Sequence, residues 1–187
     1  MASVLKEKKT TQRDPLHVLR DLERRCRLHA IGLPLQVDER KEWLGIGFRL
    51  GDTVLVAPLD DVKEILHYPS VSRVPGTKFW VRGIANVRGN LLPIMDLQGY
   101  LGGKNTAMDK RSRVLVLNHK GVFTGLVVDE VLGLKHFLED EQSAALPSVD
   151  GSLAPYLESA YQQRGALWGV FNMQRLAENP AFIQAGI

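Results

Sequence analysis

The stretch from Val81 to Met95 constrains the fold more than any other part of the chain. Successive side chains of a strand point to opposite faces, so a period of two marks a strand with two different sides. Val81, Gly83, Ala85 and Val87 are apolar or lack a side chain, and Arg82, Ile84, Asn86 and Arg88 alternate with them. Gly89-Asn90 reads as a two-residue hairpin loop with glycine first, and Leu91-Leu92-Pro93-Ile94-Met95 as the returning strand. Two arginines and an asparagine on one face of an ordered strand suit the binding of a partner better than catalysis.

The same period recurs on both sides of this hairpin. Leu44, Ile46, Phe48 and Leu50 alternate with Trp43, Gly45, Gly47 and Arg49, Gly51-Asp52 turns the chain, and Thr53 to Ala57 returns. Pro58 to Val62 reads as one helical turn, with Lys63 to His67 extended after it. Asp96 to Leu101 reads as a short helix stopped by Gly102-Gly103, and Lys104 to Arg113 as a polar, basic loop. A second β-rich block starts at Arg113. Val114–Asn118 and Val122–Val128 flank a turn at His119-Lys120-Gly121, Glu130 to Phe137 is extended with a possible bulge at Gly133, and Glu139 to Gly151 is acidic and loop-like. Leu157–Tyr161 and Ala166–Asn172 form a last hairpin, followed by short helical turns from Met173 and Pro180. Short strands at regular spacing argue for small barrels, and two successive blocks of them for two barrels packed together.

The residues ahead of Trp43 differ. Residues 1–13 are charged and read as a flexible N-terminus. Asp14-Pro15 looks like a helix start, and Leu16, Leu19, Leu22, Cys26 and Ala30 follow at spacings of three and four, giving an amphipathic helix to about Ala30, ended by Gly32 and Pro34. Its narrow stripe fits packing on the following domain, docking to a partner, or, least well, a membrane surface. The expected organisation is thus residues 1–13, a helix and linker over 14–42, and one domain of two barrels over 43–187.

Charge and chemistry exclude several classes. The net charge is +3, but residues 1–42 hold ten Lys/Arg against seven Asp/Glu and the remainder fourteen of each. A neutral body is a poor nucleic-acid ligand, because nonspecific affinity comes from many cation–phosphate contacts. Lys104, Lys110, Arg111 and Arg113 cluster without an aromatic residue among them, which also fits a nucleic-acid surface badly. Cys26 is the only cysteine, and no apolar run reaches the ~18 residues of a membrane span. The N-terminus lacks the apolar core of a secretory signal, so the expected compartment is the cytoplasm without direct membrane insertion. There is no phosphate-binding loop and no Gly-x-Ser-x-Gly; Gly45-x-Gly47 lies inside a strand pattern. His17, His29, His67, His119 and His136 show no metal-ligand spacing, and Tyr100 and Tyr161 read as packing residues. Nothing requires a cofactor, and no catalytic constellation appears.

Several motifs stand in a fixed order: Phe48-Arg49-Leu50-Gly51-Asp52; Val62-Lys63-Glu64-Ile65; Val74-Pro75 with Trp80-Val81-Arg82-Gly83-Ile84-Ala85-Asn86-Val87-Arg88-Gly89; Pro93-Ile94-Met95-Asp96-Leu97; and Gly125 to Val131. In these, the chain from about Trp43 to Glu178 resembles the CheW family of chemosensory adaptors. The leading helix and the run from Ala85 to Leu97 add a finer resemblance, to the CheW-type adaptors of type IV pilus twitching systems. The resemblance implies a mainly β fold of two five-stranded SH3-like barrels with short C-terminal helices and no catalytic activity. It implies coupling of a methyl-accepting chemoreceptor's cytoplasmic tip to the regulatory domain of a CheA-type histidine kinase, in the cytoplasm at membrane-associated arrays. The alternatives are an adaptor of a flagellar chemotaxis pathway and, less well supported, a small-barrel nucleic-acid binder.

By resemblance Arg88 falls at the receptor-facing site, and an arginine beside a glycine turn can present a rigid donor fork. It can equally hold the turn by bonding carbonyls. Val62, Glu64 and Ile65 align with the family's receptor- and kinase-facing segment; Val62 and Ile65 fit core as well as surface, and Glu64 can pair with Arg88. Arg82 adds a charge on Arg88's face, solvated or functional, and Leu59 is a candidate for the kinase contact.

Overall fold

The structure, a computed structural model, describes residues 15–29, 42–102, 104–149 and 151–186. The chain divides into two units, Met1–Glu39 and Arg40–Ile187. The first contains α1 (Pro15–His29). Its charged face is laced by pairs at helical spacing, Asp21–Arg25 at 2.9 Å and Glu23–Arg27 at 2.6 Å, each worth a few tenths of a kcal/mol. Leu16, Leu19 and Leu22 are exposed. The expectations for residues 1–13, the Asp14 cap, Ala30 and the Gly32–Pro34 stop lie outside the described residues.

The second unit is built from strands. These are β1 (Glu42–Leu50), β2 (Thr53–Pro58), β3 (Val62–His67), β4 (Val81–Val87), β5 (Asn90–Asp96), β6 (Arg113–His119), β7 (Val122–Val128), β8 (Glu130–Leu138), β9 (Gln142–Ser143), β10 (Leu157–Gln163) and β11 (Ala166–Phe171). Single 3-10 turns at Leu59–Asp61, Glu139–Glu141 and Ala154–Tyr156, and the short helices α2 (Leu97–Gly102), α3 (Met173–Glu178) and α4 (Pro180–Ile183), complete it. Asn172 and Asn179 cap α3 and α4 by accepting from the backbone N–H of Arg175 and Ala181.

Two sheets form, ordered β3-β6-β7-β5-β4 and β8-β1-β2-β11-β10-β9. The segment leaving β3 closes the first sheet, since Ser72 exchanges both backbone hydrogen bonds with Ile84 of β4 at 2.8 and 2.9 Å. The second closes in the same way, for β8 runs through one 3-10 turn into β9, which pairs with β10. The sixth strand is therefore the continuation of β8, and each barrel has five walls. The acidic segment after Glu139 holds this strand, where the sequence suggested only loop.

The two barrels do not follow the two sequence blocks. The β1–β2 hairpin sits beside β8 and β11, and the β6–β7 hairpin beside β3 and β5. Each block donates its hairpin to the barrel built on the other block's remaining strands. The joins are parallel pairings, Ile94 opposite Gly125 on β5 and β7, and Gly169 opposite Leu55 on β11 and β2. The strand orders of the two barrels correspond position for position, so the chain is a structural repeat with exchanged hairpins.

This exchange explains why several strands read as continuous apolar runs. Val114, Val116, Val127, Leu92 and Ile94 fill the first barrel, while Leu115, Leu117, Leu126, Val128 and Met95 face the layer between the barrels. Ile46, Phe48, Leu50, Leu55 and Phe171 meet them there, and Val56, Phe137, Tyr161, Trp168 and Val170 fill the second barrel. A strand buried on both faces has no polar side to alternate with. Gly45 and Gly47 are buried on the second barrel's inner face. A Cβ at Gly45 would lie 2.5 Å from Val56 Cγ2 and 2.6 Å from the Ala57 carbonyl oxygen, so only glycine fits.

One buried carboxylate ties the first barrel to its loops. Asp96 is fully buried at the end of β5. It accepts from Gly99 N–H, Thr106 N–H and the Thr106 hydroxyl, all at 2.9 Å, and Arg82 Nε lies 3.7 Å away. Removing it leaves buried donors and a half-buried guanidinium without their acceptor. Asp96→Ala is expected to cost about 3 kcal/mol. A shift in the chemical-denaturation midpoint measures this, and a midpoint equal to the parent's would contradict the assignment.

Candidate partner-docking site

The loop between β4 and β5 lies one residue earlier than the sequence indicated. Val87 pairs with Asn90, so Arg88 and Gly89 are the two loop residues. Both have positive φ, 51° and 84°, as the hairpin turn matching strand twist requires. Asn86 Oδ1 accepts from Gly89 N–H at 2.9 Å and pins the turn. This accounts for the Asn-x-Arg-Gly spacing. Arg88 is therefore not on a strand face but at the tip, in a conformation that costs a non-glycine residue about 1 kcal/mol.

Among the described residues only Arg88, Lys120 and Arg164 share this positive φ without being glycine. Each precedes a glycine in a hairpin turn. Arg164-Gly165 joins β10 to β11 with φ of 52° and 80°, and by strand order it is the counterpart of Arg88-Gly89 in the other barrel. The counterparts then diverge. Arg88 Nη2 lies 2.6 Å from Glu64 Oε1 on β3, which follows a bulge where the register skips Lys63. On β8 the register skips Leu132, and the residue after it is Gly133. Among the described residues, the first barrel alone builds an arginine–carboxylate pair at this turn.

The pair leaves most of the arginine free. Its side chain is 77% exposed and that of Glu64 28%. Glu64 holds one corner of the guanidinium, and the remaining donors of its fork face outward. Ile65 and Leu59 are exposed nearby in sequence, and Val62 is half-buried against the layer between the barrels. Val62 thus serves the core, and Ile65 the surface. Leu91, paired with Asn86 just past the turn, is 70% exposed. Sequence reasoning left it unremarked as part of the return strand. The signal was present, because alternation with buried Leu92 puts Leu91 on the polar face.

Arg82 does not join this group. The β4–β5 register breaks between Val81 and Gly83, which removes Arg82 from the alternation with Asn86. Its side chain is 22% exposed, reaches Asp96, and turns Nη2 toward the Thr106 carbonyl at 3.5 Å. Six residues of strand at about 3.3 Å each put it roughly 20 Å from Arg88.

Several other polar groups have structural partners. Tyr100 stacks edge-on against Trp80 and Phe182, and its hydroxyl meets that of Tyr156 at 2.9 Å; burial first and this hydrogen bond second push its pKa up. Tyr161 lies flat on Phe137 and Trp43, and burial, then Glu139 and Glu158, raise its pKa. Lys120, then His119, lowers the pKa of Glu178 on α3. Asp129 accepts from Gly51 N–H at 2.6 Å and locks the β1–β2 turn against β7. Of the basic loop, Arg111 pairs with Asp109 at 3.1 Å and Arg113 bonds the carbonyls of Lys110 and Ser112. Among the described residues no three His, Cys, Asp or Glu side chains gather as a metal would need, and no helix is long and apolar enough to cross a membrane.

What the turn contributes to folding can be measured. Asn-Gly is a favoured pair for this turn, so Arg88→Asn relieves about 1 kcal/mol of backbone strain. The exposed ion pair it removes is worth at most about 1 kcal/mol. The variant is expected to melt within a few degrees of the parent or above it. A loss beyond about 2 kcal/mol would mean that Arg88 is needed for folding.

Comparison with known proteins agrees with this architecture. Residues 44–181 match the family model described as CheW-like domain. The chain is 44% identical to protein PilI of Pseudomonas aeruginosa over 173 residues, 92% of this chain and 97% of that protein. It is 26% identical to the chemotaxis protein CheW of Thermotoga maritima over 133 residues, 65% of this chain and 87% of that protein. The crystal structure of the scaffolding protein TtCheW from Thermoanaerobacter tengcongensis superposes with a TM-score of 0.65 at 23% identity, covering 75% of this chain and 96% of that one. Two closed barrels, the shared motifs and these matches place the chain in the CheW-like family.

Proposed function

We propose that this protein is a non-enzymatic adaptor that couples a methyl-accepting chemoreceptor to a CheA-type histidine kinase, in a chemosensory pathway controlling type IV pili and twitching. The reading rests on one observation above all, an arginine kept in a strained turn, 77% exposed, and aimed by Glu64. Strain of this kind persists where a side chain is needed for something other than the fold. Its relatives carry the names of PilI, chemotaxis proteins and a scaffolding protein. The pilus-type pathway is favoured over a flagellar one by the extent of the likeness. The match to PilI covers 92% of the chain and so reaches the residues ahead of the CheW-like domain, whereas the match to Thermotoga CheW covers 65%.

In this reading the helical tip of the receptor docks beside the β4–β5 turn. Arg88 takes a carboxylate or backbone carbonyls of the tip, and Leu59, Ile65 and Leu91 supply apolar contact in the manner of a helix laid in a groove. Glu64 sets the direction of the guanidinium, and Val62 fixes β3 to the core. The kinase's regulatory domain docks on another face, and the two binding free energies couple reciprocally. Weak single contacts suffice where many copies join into an array, because avidity multiplies them. Cytoplasmic placement at membrane-associated arrays follows from these partners.

Pull-down with a receptor-tip fragment tests the reading. Arg88→Asn is expected to weaken capture by about tenfold or more while leaving the melting curve intact. Equal capture by parent and variant would refute the role of Arg88. A version starting near Trp43 is expected to keep receptor capture, since the proposed contacts lie in the first barrel.

A further inference from the structure

A second surface lies at the far end of β4 from Arg88. The long connection from β3 to β4 folds over the first barrel and leaves a cleft of about 390 Å³. Arg73, Lys78 and Arg82 line it, with Tyr68, Val74 and Phe79, and no Asp or Glu lies among its lining residues. Residues 43–187 as a whole hold equal numbers of acidic and basic side chains. Arg82 is balanced by Asp96, so Arg73 and Lys78 are the cations that mark a local departure from a neutral body.

The cleft is also braced. Lys78 N–H donates to the Ala185 carbonyl at 2.9 Å, Thr77 bridges to Gly186, and the Thr77 hydroxyl donates to the Val74 carbonyl at 2.8 Å. Asn105 donates to the Phe79 carbonyl at 3.3 Å, and the adjoining Trp80 stacks on Phe182 of α4 at 5.7 Å. The C-terminal segment thus clamps the connection from one side. On this fixed frame Phe79 is 60% exposed and Val74 is exposed beside it. A large aromatic ring held out on an ordered loop loses little freedom on binding, which is how interface anchors are built.

We propose that this cleft binds an acidic segment of a protein partner, one that carries an apolar side chain between its carboxylates. The apolar group packs on Phe79 and Val74, and the carboxylates meet Arg73 and Lys78. Arg82 is neutralised by Asp96 beneath and takes no part in the contact. With two cations free of a lining carboxylate and a protruding phenyl ring, the surface is too small for the run of phosphates that sustains nucleic-acid affinity. The roughly 20 Å of strand between Arg82 and Arg88 keeps this surface separate from the receptor contact proposed above.

Fluorescence anisotropy with the full chain tests the proposal. The probe is a labelled synthetic peptide repeating Glu-Glu-Leu-Phe, and its controls are the Lys-Lys-Leu-Phe repeat and a single-stranded oligonucleotide as competitor. The acidic peptide is expected to bind, to weaken as salt is raised, and to lose about tenfold or more in affinity with Arg73→Glu combined with Lys78→Glu, and separately with Phe79→Ala. Arg164→Asn, at the exposed turn between β10 and β11, is expected to leave the affinity unchanged. Melting curves establish that each variant is folded, and Phe79→Ala, a truncation at an exposed position, is the safeguard if the charge reversal destabilises the loop. Failure of the acidic peptide to bind, equal binding of the basic peptide, unchanged affinity in folded variants, or tighter competition by the oligonucleotide would each overturn the proposal.

Discussion

The constraint on which the rest of the structure depends is the exchange of hairpins between the two halves of the chain. Neither half can close a barrel alone, because β1–β2 completes the barrel of the second half and β6–β7 that of the first. The exchanged strands are buried on both faces, one toward a barrel interior and the other toward the shared layer. Pulling the barrels apart would expose the whole of that layer, which contains Phe48, Leu55, Leu97, Leu126 and Phe171. Apolar burial of this kind is worth about 25 cal/mol per Å² removed from water, so the two barrels behave as one body. The proposed adaptor role needs this property, since flexing between docking faces would dissipate the coupling.

On this rigid frame the polar features divide into two kinds. Asp96 with Arg82 and Thr106, Asp129 with Gly51, and Tyr100 with Tyr156 satisfy one another inside the fold. Arg88 differs, because the turn holds a non-glycine residue at positive φ and its side chain, though paired with Glu64, stays mostly exposed. The comparison with Arg164 sharpens the point. The same turn occurs in both barrels, but the carboxylate that aims the arginine occurs in one, where Gly133 stands in the other. This asymmetry at the two corresponding turns is what motivates the docking role proposed for Arg88.

Much of this was legible in the sequence, and the exceptions have physical causes. Strand positions were readable because alternation and glycine-bearing turns are local signals, and β7 begins and ends where its pattern does. The hairpin exchange was not readable, since parallel pairings such as β5 with β7 join residues about thirty apart and leave no local trace. The turn at Arg88 was displaced by one residue because arginine is a poor choice for a left-handed position, which drew the loop toward Gly89-Asn90. The bulge at Arg82 broke the alternation that had tied it to Arg88. Asp96 could have been singled out, as an acidic residue closing an apolar strand and opening a helix needs a buried partner. Strand β9 has only two residues and offers no period to detect.

The central claim is that one rigid body holds two macromolecules at once and transforms neither. Isothermal titration of a receptor-tip fragment into the protein, alone and then saturated with the kinase's regulatory domain, measures this most directly. The account predicts binding in both cases, a ternary complex containing each component, and the same coupling factor when the order of addition is reversed. Displacement of the regulatory domain by the receptor fragment would contradict it.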